Sequence, residues 1–123
     1  MKVARRPEEL ERRDRAVAIG TFDGVHLGHR RVLEAVVAAG LTATVVTFDP
    51  HPRLALGYGV ELLTTLERRL ELLEGAGIED SLVVEFDLEV ARLSPEAFVE
   101  AVLRPIGSVV IAAGSNFRFG QSR

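Results

Sequence analysis

The sequence predicts an α/β fold, a Rossmann-like parallel sheet with helices on both faces. Short apolar, β-rich runs alternate with helix-length amphipathic stretches in the order β-α-β-α-β-α-β. The strand runs are continuously apolar, the pattern of strands covered on both sides. Three strand ends also carry unusual residues: Gly20-Thr21-Phe22-Asp23, Asp49-Pro50-His51-Pro52 and Gly114-Ser115-Asn116-Phe117. In such folds crossovers are right-handed and ligands bind beyond the carboxyl ends of the strands, so those ends are expected to converge on one edge.

Residues 1 to about 15 are charged and lack an apolar period. They are expected to form an exposed lead-in, with a short helix across Glu8 to Arg13. Ala16 to Gly20 is a short apolar run that reads as a central strand. A loop over 21–27 follows, then a helix from about Gly28 to Ala39 with Val32, Leu33, Val36 and Val37 on one face, stopped by Gly40. Thr42 to Phe48 is rich in β-branched residues and reads as the second strand. Pro50 and Pro52 force a loop after it. Thr64 and Glu67 have capping-box spacing at the start of a second helix that carries Leu66, Leu70 and Leu73 toward Gly75 and Gly77. Ser81 to Phe86 reads as the third strand. Ser94-Pro95 caps a helix ending before Pro105, Ser108 to Ala113 is the fourth strand, and 114–123 is loop.

A chain of 123 residues suits one domain, here 16–123, and needs no covalent staple to fold. It has no cysteine, which excludes disulfides and thiolate-bound zinc. A net charge of −3 argues against a general nucleic-acid binder. No apolar run reaches the ~18 residues needed to span a bilayer, and the charged N-terminus is no secretory signal. The expected compartment is the cytoplasm.

The stretch most suited to chemistry is Gly20-Thr21-Phe22-Asp23-Gly24-Val25-His26-Leu27-Gly28-His29. It joins a buried strand to a helix, so backbone N–H groups and the helix dipole would face an anion at the sheet edge. Gly24 and Gly28 remove side chains where a nucleotide or the sheet must come close. His26 and His29, three apart, share a face if the helix starts early enough, and a polyphosphate would favour their protonated forms. A P-loop is excluded because no Gly-Lys-Ser/Thr ending is present, and the dinucleotide glycine spacing is missing too. Taken alone, a histidine pair is as often a surface feature; the strand, turn and helix around it favour a site. In the second segment Phe48 and His51 offer flat surfaces and Pro50 and Pro52 fix the loop, although a plain structural turn explains that segment by itself. Asn116 can donate and accept hydrogen bonds, and of Phe117 and Phe119 one ring is expected in the core and one near a ligand.

These residues resemble the nucleotidyltransferase superfamily defined by His-x-Gly-His, and the fuller form resembles prokaryotic FAD synthetases. Val46 to Pro52, Gly114 to Gly120, Leu63 to Leu66 and Leu93 to Val99 are similar to further motifs of that family, in order, over about residues 15–123. The resemblance implies an HxGH-type nucleotidyltransferase domain that transfers AMP from ATP, with Mg²⁺, to FMN. His26 and His29 would be catalytic. Gly20, Thr21, Phe22, Asp23, Gly24 and Gly28 would hold ATP; Phe48, Pro50, His51, Pro52, Asn116 and Phe119 would hold FMN. No protein metal ligand is implied, and Asp23 is expected to order the turn. A following βα segment with a Ser-Ser-Thr-Arg-like motif and a riboflavin kinase domain are absent, so the expectation is a domain incomplete on its C-terminal side. Two alternatives remain open: another nucleotidyltransferase, such as a cytidylyltransferase, and a non-catalytic nucleotide- or flavin-binding remnant.

Overall fold

The β-branched run Thr42–Asp49 forms β3, the middle strand of a five-stranded parallel sheet. The structure, a computed structural model, describes residues 1–23, 27–52, 56–57 and 64–113. The other strands are β1 (Lys2–Ala4), β2 (Arg15–Ile19), β4 (Asp80–Glu85) and β5 (Ser108–Ala113), in the spatial order β1-β4-β3-β2-β5. The helices are α1 (Leu27–Ala38), α2 (Leu66–Gly75), α3 (Leu88–Ala91) and α4 (Pro95–Phe98), the last continuing as a π-helical turn over Val99–Leu103.

The sheet has a core on each face because side chains alternate along each strand. Val17 and Ile19 of β2 pack on one side with Phe48, Phe98, Leu103 and Ile106. Ala16 and Ala18 pack on the other with Leu33 and Val36 of α1 and Leu73 of α2. Thus α1 and α2 cover one face and α4 with its π-helical turn covers the opposite face. The expected α/β class, the four expected strands and the parallel order all stand in the structure.

Four details differ from the sequence expectation. Residues 2–4 are not lead-in: they form β1, pairing Lys2 with Asp80 and Ala4 with Leu82, and Ala4 is fully buried. The expected helix across Glu8 to Arg13 is a single 3-10 turn at Pro7–Glu9, because Leu10 already has extended backbone. The cap of α2 is Thr65, whose hydroxyl accepts from the Arg68 amide, while the Thr64 side chain turns to Asp23. Finally, Val109, Val110 and Ile111 of β5 are exposed, so this strand is not covered on both faces. Ser94 caps α4 as expected, accepting from the Ala97 amide with Pro95 in the first turn.

The amino-terminal edge of the sheet is closed by a fully buried arginine. Arg15 donates through Nε to the Ile106 carbonyl (2.9 Å), through Nη1 to Thr44 Oγ1 (3.0 Å) and Asp80 (2.7 Å), and through Nη2 to the Glu11 carbonyl (2.6 Å). One side chain thereby ties β2 to β3, β4 and the turn before β5. Beside it Gly107, at φ +91°, lies so close to the Arg13 carbonyl that a Cβ would stand 2.0 Å from its oxygen.

Candidate functional site

From β2 the chain steps outward through β3 to β4, then returns across the sheet to place β5 on the other side of β2. The direction reverses at β2, the switch point where open α/β sheets form their ligand crevice. Register sets the three strand ends side by side: Ile19 pairs with Val46 on one flank and with Ala113 on the other. The first two expected segments therefore do lie at adjacent strand ends, and Ala113, the last described residue of β5, lies beside them. Gly114 to Gly120, including Asn116 and Phe119, lies outside the described residues, as do Gly24, Val25 and His26.

The turn after β2 is held from several directions. The Gly20 amide donates to the Val46 carbonyl (3.1 Å), extending the sheet by one bond. The Thr21 carbonyl accepts from the buried Thr47 hydroxyl (3.1 Å). Asp23 Oδ1 accepts from both the amide and the hydroxyl of Thr64, each at 2.8 Å, in agreement with its expected ordering role. Phe22 occupies the left-handed region, φ +54°, and is fully buried. Such a backbone is strained for an aromatic residue and persists only where its surroundings enforce it. Here the enforcement is mutual: a Cβ on Gly20 would stand 3.2 Å from the Phe22 ring.

Phe22 was expected to contact ATP. Its ring instead belongs to the core beneath α1, so only its backbone remains for a ligand. His29 lies in the first turn of α1, half-buried, its ring centroid 5.1 Å from that of Phe22 at an angle of 63°. The core phenylalanine thus packs against the imidazole. Gly28 lies in the same first turn. Because α1 starts at the carboxyl edge, its unsatisfied N–H groups and positive dipole end lie there, the arrangement that attracts phosphate.

The loop after β3 begins with a cis Asp49–Pro50 bond; Pro50 is exposed, and His51 and Pro52 are half-buried. Phe48 offers no flat surface to a ligand. Its ring is buried against Phe86 (5.6 Å) and Phe98 (6.1 Å), because an inward-facing position on the central strand belongs to the core. Asp49, on the rim, faces Arg5 at 3.7 Å, an exposed pair of little energetic weight.

Sequence reasoning missed Arg69. It sits on α2, is only 4% exposed, and donates from Nη2 to the Phe48 carbonyl at 3.0 Å, with Nε unpartnered among the described residues. Burial lowers its pKa from the ordinary value, opposed by the charges of Asp49 and then Asp23. It stays charged, as guanidinium groups do. A signal was present: Arg69 is four residues before buried Leu73 and so shares its inward face. Thr64 was missed as the Asp23 partner because it was assigned to the helix cap.

The FAD synthetase family model matches residues 8–123. The chain belongs to the FAD synthetase family. A bifunctional riboflavin kinase/FMN adenylyltransferase of Listeria monocytogenes is 36% identical over 115 residues, covering 88% of this chain and 37% of the relative. That of Bacillus subtilis is 36% identical over 125 residues, covering 94% and 40%, and that of Escherichia coli K12 is 34% identical over 114, covering 87% and 36%. The chain spans less than half the length of these family members. A crystal structure described as a macrolide-efflux protein from Streptococcus pneumoniae superposes with a TM-score of 0.82 over 97% of this chain and 43% of its own, at 23% identity, which shows a shared fold. Among the described residues, no helix is long and apolar enough to cross a membrane.

Proposed function

We propose that residues 16–123 form the FMN adenylyltransferase part of a cytoplasmic FAD synthetase, transferring AMP from ATP to FMN. The observation that carries this reading is the anchored turn Gly20–Asp23 leading into α1 at the sheet's switch point, in a chain of this family. An FMN phosphate oxygen would attack the α-phosphorus of ATP; the bond from that phosphorus to the bridging oxygen breaks, and pyrophosphate leaves with the electron pair. A phosphate monoester, with a second pKa of about 6, is already largely ionised near neutrality, so no strong base is required. The demands are alignment of two polyanions and stabilisation of charge on the leaving group.

The start of α1 and His29, with His26, would supply that stabilisation. ATP would arrive as its Mg²⁺ complex, a form that needs few protein ligands. Gly20, Thr21, Asp23, Gly24 and Gly28 would shape the ATP seat. Pro50, His51 and Pro52, with Asn116 and Phe119, would line the FMN side. Family membership supports ATP and FMN over CTP and a small phosphorylated alcohol.

The test is His29→Ala, followed by pyrophosphate release with ATP/Mg²⁺ and FMN and by thermal melting. Turnover should fall at least ~100-fold with the melting transition retained. Unchanged turnover would overturn the role of His29. Wild-type chain that binds both substrates yet releases no pyrophosphate would make it a binding unit instead.

A further inference from the structure

The two substrate loops leave adjacent strands, and among the described residues the direct ties between them, Gly20 to Val46 and Thr21 to Thr47, stop short of Phe48. We infer that Arg69 and Thr64, at the start of α2, form a latch that positions the turn after β2 and the loop after β3 relative to each other. Thr64 holds the first of these with two 2.8 Å hydrogen bonds to Asp23. Arg69, five residues on, holds the second with a 3.0 Å bond to the Phe48 carbonyl, the last backbone group before Asp49 and the cis proline. Between the two, the Thr65 cap joins Thr64 directly to the first turn of α2, which carries Arg69.

Three features make Arg69 more than a packing residue. It is a cation 96% removed from solvent, which costs stability unless its surroundings compensate. The charges that offset this burial are those of Asp49, at the end of β3, and Asp23, in the turn after β2. Its hydrogen bonds are also incomplete among the described residues, where Nε has no partner. A side chain selected for stability alone would be fully bonded or apolar. Arg69 is therefore a positioning residue: it acts on ligands through the loops and needs no contact with them. The inference rests on the proposed reading of those loops as ATP and FMN seats.

Two readouts on Arg69→Met test it separately. In amide hydrogen exchange without ligand, segments 20–23 and 48–52 should both exchange at least ~3-fold faster, with β4 and β5 unchanged. Acceleration confined to α2, or none, overturns the latch. In calorimetric titration with ATP/Mg²⁺ and with FMN, both affinities should fall together by ~10-fold, whereas Thr64→Val should weaken ATP alone. Arg69→Lys should restore much of both, because a single donated bond rather than a guanidinium fork is in use. Unaltered affinities in Arg69→Met overturn the inference. Wild-type chain that binds neither ligand instead rejects the functional reading, and hydrogen exchange still judges the latch. Should Arg69→Met lose cooperative melting, Arg69→Gln takes its place with the same expected and overturning results; it stays polar, but its amide ends two bonds short of Nη2 and so gives up the bond to the Phe48 carbonyl.

Discussion

Two buried arginines stand at opposite ends of this sheet, and they are built differently. Arg15, at the amino-terminal edge, donates four hydrogen bonds and pairs with Asp80 at 2.7 Å. Arg69, at the carboxyl edge, donates one to the Phe48 carbonyl and, among the described residues, leaves Nε unpartnered. Both are removed from water, so burial alone does not separate them. Completeness of hydrogen bonding does. A fully bonded buried cation cross-links strands. A partly bonded one beside two loops remains only where something other than stability is served, and the sheet's topology puts ligands at that second edge.

The largest expected effect breaks the comparison on the stability side. Arg15→Met removes one partner of a buried pair, strands Asp80 and takes a donor from two carbonyls, while the Thr44 hydroxyl keeps its bond to the Thr42 carbonyl. Urea unfolding should show a loss of about 3–5 kcal/mol. Arg69→Met should cost clearly less, about 1–2 kcal/mol, because it removes one hydrogen bond to a carbonyl while Asp49 keeps Arg5 and Asp23 keeps Thr64. Equal losses for the two variants would erase the distinction drawn between the edges.

Gly20→Ala sharpens the contrast within the carboxyl edge. Its new methyl would press on the Phe22 ring, which already holds a strained backbone and supports His29. Unfolding should cost about 1–3 kcal/mol, as for other overpacked sites, and turnover should drop with it. Wild-type stability in this variant would show that the Phe22 ring has room to move.

The smallest effect lies on the surface beside Arg15. The Glu11 carboxyl is held below the ordinary carboxylate range by the hydrogen bond from Arg13 and then by its charge. A lowered folded-state pKa means that the contribution exists above the unfolded pKa and is lost as pH falls through the folded one. Urea midpoints of Glu11→Gln and wild type should differ marginally at pH 7 and converge toward pH 3. A gap that widens on acidification would reverse the assigned sign.

Much of this was legible in the sequence because it is local. Continuous apolar runs mark β2, β3 and β4, helical spacing marks α1 and α2, and Ser94-Pro95 marks the start of α4. The strand-to-helix turn containing Gly20 and His29 was legible for the same reason, and its motif was sufficient to place the family. β1 was not legible: three residues form a strand only by pairing with β4 nearly eighty residues away. Phe48 reads as a ligand surface, and the resemblance makes Phe22 an ATP contact, because sequence does not say which way a ring at a strand end turns. The structure turns both inward.

What the sequence by itself determined is the order of elements and the kind of chemistry at the end of β2, since propensity, periodicity and motif spacing act over a few neighbouring residues. What only the tertiary structure decided is which groups meet: Arg15 with Asp80, Thr64 with Asp23, Arg69 with the Phe48 carbonyl. Those partners are 65, 41 and 21 residues apart. Their contacts exist only once the parallel sheet has brought distant segments to a common edge, where burial makes each polar group seek a partner.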